Sequence, residues 1–310
     1  MLAALVAVAA CAGIAACTPS AASATATAAT TNTAAASNTA AASNTALPST
    51  RPSATVKPTP KPTPTPRPAS PPRVVVTRLR AADGSGITIA IFRGPVRYVL
   101  HNGAVDPGPL AAGVVRAGPS VTGAERRMLL AGFNGGFKLN AGAGGYEQEG
   151  HVIKPLLPGY ASLIIDRSGK ARIAVWGSGA PARGEAVYSV RQNLTPLVLD
   201  GRPLPAVVNW WAWGGTVGGL EDVARSALGE DRDGDLIYAG SMSATPADLA
   251  AVLVRAGARI AMELDINPNW VQLDVAPRPG ARLRAQVPGQ WRPADQFLAG
   301  WDRDFIAVLG

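Results

Sequence analysis

The amino-acid composition of this chain changes sharply near residue 72, and the change limits how much of the chain can fold. The residues up to that point contain no Asp or Glu and are rich in Ala, Ser, Thr and Pro. Such a segment cannot bury enough apolar surface to offset the conformational entropy lost on ordering. Residues 73–310 mix apolar and charged residues, and their number suits one folded domain. We therefore predict a single domain at 73–310, preceded by a segment without a core.

The first 17 residues are predicted to be a lipoprotein signal peptide. Residues 2–16 are apolar and small, and the run ends in Ile14-Ala15-Ala16-Cys17. This run is too short for a membrane span, which needs about 20 residues, and it matches the apolar part of a secretory signal. The ending resembles a bacterial lipobox, which implies a lipid on Cys17 and a location at the bacterial cell surface, on the outer face of the cytoplasmic membrane. An ordinary signal peptide is the alternative.

Residues 18–72 are predicted to form a disordered stalk. Its first half repeats Ala, Ser, Thr and Asn, and its second half contains a Pro-Thr run at 57–66. Pro-rich chains adopt extended polyproline II at about 3.1 Å per residue and act as stiff spacers. The stalk is therefore expected to hold the domain away from the membrane to which Cys17 attaches it.

The net charge of +8 comes in part from the stalk. Five of the 29 basic residues, and none of the 21 acidic ones, lie before residue 74. A domain with so balanced a charge lacks the concentrated basic face of a nucleic-acid binder, so no nucleic-acid partner is expected. The basic stalk suits a nearby anionic membrane or wall.

Strand patterns dominate the domain. Runs of β-branched and aromatic residues bounded by turn residues predict strands at 74–79, 87–92, 97–100, 163–166 and 171–176. The last two flank Arg167-Ser168-Gly169-Lys170, whose turn chemistry predicts a hairpin, and 197–199 before Asp200-Gly201 predicts another. Helices are few, and the strand–helix alternation of parallel sheets is absent over most of the length. We therefore predict an α+β fold of mixed, mostly antiparallel sheets with a few packed helices.

The clearest helix is predicted at 247–256. Thr245 can cap its first turn, Pro246 suits the first helical position, Asp248 completes a capping box, and a glycine follows the last turn. Apolar residues at helical spacing form one face, so the helix should pack on a core. A shorter helix is predicted at 124–130.

A first candidate for function is Phe133-Asn134-Gly135-Gly136-Phe137. The two glycines permit a close backbone approach, so Asn134 could project its amide into a cleft. Because Asn-Gly is also a favoured turn dipeptide, an ordinary turn is the alternative.

A second candidate is the acidic run that follows the predicted helix. Alternation in a strand places Glu263, Asp265 and Asn267 on one face. Positions i and i+2 lie about 6.6 Å apart, from which two carboxylates can act as a pair or hold the hydroxyls of a sugar. Acidic residues are disfavoured inside strands, which favours a functional reason over a solvated sheet face.

A third candidate is Trp210-Trp211-Ala212-Trp213 with the glycines after it. Trp211 and Trp213 could form a platform for the apolar face of a sugar ring, although burial in a core is the commoner use of tryptophan. The run Asp231-Arg232-Asp233-Gly234-Asp235 is predicted to be a hairpin turn, because it lacks the distal Glu of a calcium loop. No metal site and no cofactor are expected.

Taken in order, several stretches resemble the phosphodiester glycosidase family, over about residues 125–310. The matching stretches are 134–137, 149–152, 225–229, 236–238, 245–258 and 264–265. The resemblance implies a hydrolase that cleaves a sugar-phosphate diester to a free sugar and a phosphomonoester. After the family's Leu-Asp comes a glycine-rich turn, where this chain has Ile266-Asn267-Pro268.

The resemblance also implies roles for the candidate residues. Asp265, helped by Glu263, is expected to act as acid/base or nucleophile at the anomeric carbon. Arg225 is expected to hold the phosphate with its forked donors. The segment from Asn134 through Gly135 and Gly136 would orient the sugar or the phosphate.

The expected partner is thus a carbohydrate or glycosyl phosphate of the cell envelope. A non-catalytic carbohydrate-binding lipoprotein on the same fold is the alternative. The proline-containing turn after Asp265 favours that alternative, because proline removes a backbone donor from the place where the family binds phosphate.

Overall fold

The computed structural model describes residues 71–310. The signal peptide, the Cys17 anchor and the stalk up to residue 70 lie outside the described residues. In the described part, the chain forms three sheets of seven, five and five strands. All strand pairs within these sheets are antiparallel.

The strands are β1 (Val74–Arg80), β2 (Gly86–Phe92), β3 (Arg97–His101), β4 (Leu129–Asn134), β5 (Tyr146–Gln148), β6 (His151–Lys154), β7 (Ala161–Ile165), β8 (Ala171–Val175), β9 (Ser189–Gln192), β10 (Val198–Leu199), β11 (Arg202–Pro203), β12 (Val223–Glu230), β13 (Leu236–Ala244), β14 (Ile260–Glu263), β15 (Leu273–Val275), β16 (Arg284–Ala285) and β17 (Phe305–Leu309). The helices are α1 (Gly108–Ala111), α2 (Gly123–Met128), α3 (Pro246–Arg255) and α4 (Gln296–Ala299). Three short 3-10 turns span Pro205–Val208, Trp210–Trp213 and Val217–Gly219.

The seven-stranded sheet has the order β1-β2-β13-β12-β14-β10-β11, and its central strands β2, β13, β12 and β14 are buried on both faces, whereas the outer strands β1 and β11 are largely exposed. Its side chains alternate between two cores, as the period of a strand requires. On β12, Leu228 enters the main core with Phe133 and Tyr146 from the other two sheets, whereas Ala227 enters a second core beneath α3. The other two sheets have the orders β16-β15-β4-β17-β3 and β6-β5-β9-β7-β8.

The helix α3 begins and ends as its sequence predicts. The Thr245 hydroxyl accepts from the Asp248 N–H, and the Asp248 side chain accepts from the Thr245 N–H, so the predicted capping box is confirmed. Leu249, Val252 and Leu253 are fully buried in the second core. This apolar face fixes the helix on the seven-stranded sheet.

The structure confirms some of the other sequence predictions and corrects the end of one helix. The predicted hairpin at 163–176 is confirmed as the β7–β8 pair, and the Asp231 run turns between β12 and β13 with the Asp231 carboxylate accepting two N–H groups. The helix predicted at 124–130 ends at Met128, because Leu129 already pairs with Leu309 of β17. With one helix of ten residues and the other three of four to six, the described chain is richer in strands than an α+β assignment implies. Among these described residues, no helix is long and apolar enough to cross a membrane.

Candidate active site

Three backbone segments meet and are joined by hydrogen bonds: the segments that follow β14 and β4, and the segment that precedes β17. Asp265, just beyond β14, donates its N–H to the Gly135 carbonyl at 3.0 Å, and its own carbonyl accepts from the Ser226 N–H at 3.0 Å. The Gly135 N–H donates to the Asp304 carbonyl, just before β17, at 2.9 Å. The ends of β14 and β4 and the start of β17 therefore hold their flanking side chains together.

A cavity of about 630 Å³ opens beside this junction. Asp265 and Asn267 lie on its wall, as do the cationic side chains of Lys138 and Arg303. Aromatic side chains also line it: Phe137, Trp270 and Trp291. Its size falls within the range of about 300–1,000 Å³ that is typical of small-molecule sites. Within residues 71–310, no group of three or more His, Cys, Asp and Glu side chains could hold a metal ion.

Asp265 and Arg303 form a buried ion pair on the cavity wall. Arg303 Nη2 lies 3.2 Å from Asp265 Oδ2 and also donates to the Gly136 carbonyl at 2.8 Å. Asp265 Oδ1 accepts from the Ile266 N–H at 2.8 Å. Burial raises the pKa of Asp265 to about 6, while the Arg303 charge and the Ile266 N–H act to lower it. The carboxylate is thus ionised at neutral pH but more basic than an exposed Asp.

Sequence reasoning missed Arg303. Its guanidinium carbon lies 5.3 Å from the centre of the Trp270 ring, and Arg303 Nε lies 3.4 Å from Asp106 Oδ2. The available signal was the charged run Asp302-Arg303-Asp304 directly before the apolar strand β17. Charged residues that adjoin a fully buried strand need partners inside the protein, which marks them as candidates for a site.

Gly135 and Gly136 lie at this junction, where there is little room for a side chain. Neither has a positive φ, so glycine is not needed there for its backbone conformation. A Cβ on Gly135 would collide with the Asp304 carboxylate, and one on Gly136 would lie 3.1 Å from the Arg191 guanidinium. Arg191 and Asp304 are a buried ion pair with Nε 2.7 Å from Oδ2. The close backbone approach expected of these glycines is present, and the group they approach is this ion pair.

Asn134 does not project into the cavity. Its side chain is buried, where Nδ2 donates to Ser226 Oγ at 2.9 Å, and Oδ1 accepts from the Tyr238 hydroxyl and the Gln272 N–H. Because its amide is engaged on both sides, the expected role in orienting a sugar or phosphate is corrected to one of joining β4 to β12 and β13.

Arg225 also lies outside the cavity, which corrects its expected role as the phosphate ligand. The side chain is fully buried, with Nη1 2.9 Å from Glu263 Oε1. Its remaining donors bond the carbonyls of Ala244, Trp213 and Glu221. Four of its five N–H groups are used in these bonds, and the fully buried side chain does not reach the cavity.

Glu263 likewise faces Arg225 and does not line the cavity, so it does not stand beside Asp265 as a second catalytic carboxylate. Burial raises the pKa of Glu263 to about 8, and the Arg225 charge opposes this rise. The pair therefore lies behind the cavity wall, next to Ala224, which lines it.

The predicted tryptophan platform is divided between two environments. Trp213 is buried and donates from Nε1 to the Ala206 carbonyl at 3.0 Å, whereas Trp211 is 61% exposed and stacks on Trp210 with ring centres 3.9 Å apart. Neither lines the cavity, where Trp270 and Trp291 lie instead.

No known family model matches the sequence, and no curated protein matches it. Among solved structures, the chain is similar to the catalytic domain of zebrafish N-acetylglucosamine-1-phosphodiester alpha-N-acetylglucosaminidase, auto-inhibited by its pro-peptide (14% identity, 76% of this chain and 82% of that chain, TM-score 0.48). It is also similar to a hypothetical protein from Synechocystis (15% identity, 75% of this chain and 61% of that chain, TM-score 0.44). A third similar structure is a Burkholderia pseudomallei protein described as a candidate exported protein (15% identity, 72% of this chain and 74% of that chain, TM-score 0.39). Likenesses at this level assign no residue role and no activity to this chain.

Proposed function

We propose that the domain is a hydrolase that cleaves a sugar-phosphate diester at the anomeric carbon, with Asp265 activating the attacking water. The observation that carries this proposal is the ion pair of Asp265 and Arg303 on the wall of a 630 Å³ cavity. A carboxylate with a pKa of about 6 is ionised at neutral pH and basic enough to take a proton from water as the bond to carbon forms.

The charges around the cavity favour a phosphate-linked substrate over an ordinary glycoside. Asp265 is the single carboxylate among the described residues that line the cavity, and Arg303 and Lys138 lie on the same wall. Hydrolysis of ordinary glycosides uses two carboxylates, one of which protonates the leaving oxygen. A phosphomonoester leaves as a stable anion and needs no such proton, so cations can take the place of the second acid.

The proposed hydrolysis conserves atoms and charge. A water molecule gives a proton to Asp265, and its oxygen forms the new bond to the anomeric carbon. The bond from that carbon to the phosphate oxygen breaks, and its electron pair leaves with the phosphomonoester, next to Arg303 and Lys138. Asp265 then returns the proton to solvent.

Two further features support a sugar as the group transferred. Trp291 lines the cavity and is 62% exposed, and an indole face packs well on the apolar face of a sugar ring. Asn267 lies on the same wall; its Oδ1 accepts from Asn269, and its Nδ2 can donate to a hydroxyl group. The ordered motifs that resemble the phosphodiester glycosidase family, above all Leu264-Asp265, agree with this proposal.

Isotope labelling and one isosteric variant test the proposal together. Residues 71–310 are incubated in oxygen-18 water with a panel of aryl and methyl phosphodiesters of sugar 1-phosphates. We expect the label in the sugar, and Asp265→Asn should lower kcat by roughly two to four orders of magnitude with the fold intact. The matched control is Asp302→Asn, whose side chain is exposed. Label in the phosphate, or full activity of a folded Asp265→Asn, would exclude the proposal.

Sugar binding without catalysis is the second candidate, and one observation favours it. Trp291 is 62% exposed at the cavity, as a sugar-binding platform would be. If no diester is cleaved while sugars bind the domain and Trp291→Ala abolishes that binding, the second candidate replaces the first.

The proposed place of action is the cell surface, with the domain tethered through a lipid on Cys17. Cys17→Ala should release the full chain from the membrane fraction without lowering its melting temperature, because the stalk separates anchor and domain. Retention of the variant in the membrane fraction would contradict the anchor.

A further inference from the structure

An uncharged segment beside the cavity exposes large apolar side chains. Between Arg202 and Glu221 the sequence contains no charged residue, and the segment folds as short 3-10 turns. Within it Val208 is 77% exposed, and Trp211 and Leu220 are each 61% exposed. Exposed apolar side chains that occur singly need no explanation, but several in one short uncharged segment mark an interaction site.

One end of this segment is also part of the cavity wall. Gly214, Gly215 and Thr216 line the cavity, directly after the second 3-10 turn. The Thr216 hydroxyl donates to the Leu220 carbonyl at 2.7 Å, and the Trp211 ring lies beside Gly219. The exposed side chains and the cavity wall therefore belong to one compact loop.

The loop is fixed to the domain by buried contacts. The Trp213 side chain is buried and bonds the Ala206 carbonyl, and the Trp213 carbonyl accepts from Arg225 Nη1 at 3.1 Å. Because Arg225 is itself held by Glu263, the loop is anchored to the strands that carry the candidate active site. The loop is thus held in place by buried contacts, and Trp211 is exposed on it before any ligand binds.

The cavity continues the apolar character of this loop. Its wall includes Val223, Ala224, Met242 and Ile266. At about 630 Å³ it matches drug-sized ligands and exceeds what a sugar ring and one phosphate fill. Polar and charged groups line one part of the cavity, and the apolar side chains of the rest suit an apolar ligand group.

We propose that the second ester of the phosphate, on the side away from the sugar, is a long apolar chain, and that residues 203–220 bind it. The substrate would then be a lipid-linked sugar phosphodiester. This inference rests on the proposed function and names its substrate class. Trp211 and Leu220 would contact the chain outside the cavity, while Arg303 and Asp265 act on the phosphate and the anomeric carbon.

The test compares a methyl and a decyl phosphodiester of the same sugar 1-phosphate, both below the micelle concentration of the decyl ester. The readout is the ratio of kcat/KM for decyl to methyl. We expect a ratio of about ten or more for the wild type and a ratio near one for Trp211→Ser/Leu220→Ser. The matched control is Val105→Ser/Leu110→Ser, which removes two side chains that are each 64% exposed elsewhere, and it should keep the wild-type ratio.

The outcomes separate the two proposals. If the wild type cleaves both esters equally, or if the loop variant keeps the wild-type ratio, the inference is wrong and the proposed function stands. If neither ester is cleaved, the proposed function fails; calorimetry with decyl phosphate then still tests the loop, and equal binding by wild type and loop variant would exclude it. Adsorption of the wild type, but not the loop variant, to phosphatidylcholine vesicles with no decyl preference would replace the inference with docking on a membrane.

Discussion

The guanidinium of Arg303 lies 3.2 Å from the carboxylate of Asp265, and neither residue is more than 5% exposed. Two opposing effects meet in this pair. Burial disfavours the charged carboxylate, and the adjacent cation favours it, with the result that its pKa rises to about 6. A carboxylate poised in this way can be ionised at neutral pH and still accept a proton during a reaction.

The pH dependence of catalysis should report this pair. Because Asp265 must be ionised to act as a base, kcat/KM is expected to rise with pH and level off above about pH 6. Arg303→Gln removes the charge that lowers the pKa of Asp265, so the rising limb should move to higher pH. Measured pH–rate profiles of both proteins check this.

The matched control for that experiment is Arg292→Gln. Arg292 also lies over the Trp270 ring, at 5.7 Å, but Asp265 is paired with Arg303. Its profile should keep the wild-type limb. A rising limb at the same pH in Arg303→Gln and wild type would show that this ion pair does not set the pH dependence.

The buried pair of Arg225 and Glu263 should matter for stability and not for chemistry. Arg225→Met removes the buried guanidinium that bonds Glu263 and the carbonyls of Ala244 and Trp213, which leaves these groups without that partner, and it is expected to lower the free energy of unfolding by about 3–5 kcal/mol. Arg225→Lys keeps a charge, so more of the protein should remain folded, with wild-type activity per folded molecule. Urea unfolding and activity assays on both variants check this. A stable Arg225→Lys protein with strongly raised KM would return Arg225 to the role of phosphate ligand.

Local patterns in the sequence predict much of this fold. The capping box of Thr245 and Asp248, the β7–β8 hairpin and the turn at Asp231 each depend on residues within a few positions of one another. The strand predictions at 74–79, 87–92 and 97–100 also match β1, β2 and β3 to within one residue at either end. The helix predicted past Met128 fails because pairing with β17, distant in the chain, claims Leu129.

The site is harder to predict because it depends on which distant groups meet. Sequence reasoning places Asp265 in the site, and the structure puts it on the cavity wall. The sequence does not show that Arg303, and not Arg225, faces that wall. The partners of both arginines are residues distant in the chain, which only the tertiary structure brings together. The same holds for Trp211 and Trp213, which a 3-10 turn sends to surface and core.

Space at Gly135 can be tested by adding one carbon. In Gly135→Ala the new Cβ would collide with the buried Asp304 carboxylate, so we expect a loss of about 3 kcal/mol in the free energy of unfolding. Gly118→Ala is the matched control, because no atom lies within 4 Å of the Cβ position at Gly118. Urea unfolding measures both, and equal stability of the two variants would mean that Asp304 moves aside freely.

A last prediction concerns Asp274, which holds the loop that carries Trp291. Gln290 Nε2 donates to Asp274 Oδ1 at 2.9 Å, and Gln272 Nε2 donates to Asp274 Oδ2. Burial raises the pKa of Asp274 to about 7, while these two hydrogen bonds act to lower it. Because Gly289 and Trp291 flank Gln290 and line the cavity, the carboxylate supports one wall of the candidate site.

A raised pKa makes Asp274 a source of pH-dependent stability. Its protonated form is favoured in the folded state, so its contribution is fully present below about pH 4 and is lost as the pH rises towards 7. Between about pH 5 and 6.5, the free energy of unfolding of the wild type should therefore fall more steeply with pH than that of Asp274→Asn. We expect the two slopes to differ by about 1.4 kcal/mol per pH unit. Urea unfolding of residues 71–310 at several pH values measures the two slopes, with Asp222→Asn, an exposed carboxylate that does not act on Asp274, as the matched control. Parallel slopes for wild type and Asp274→Asn would mean that Asp274 is already ionised in the folded protein across this range, and that the hydrogen bonds from Gln290 and Gln272 outweigh its burial.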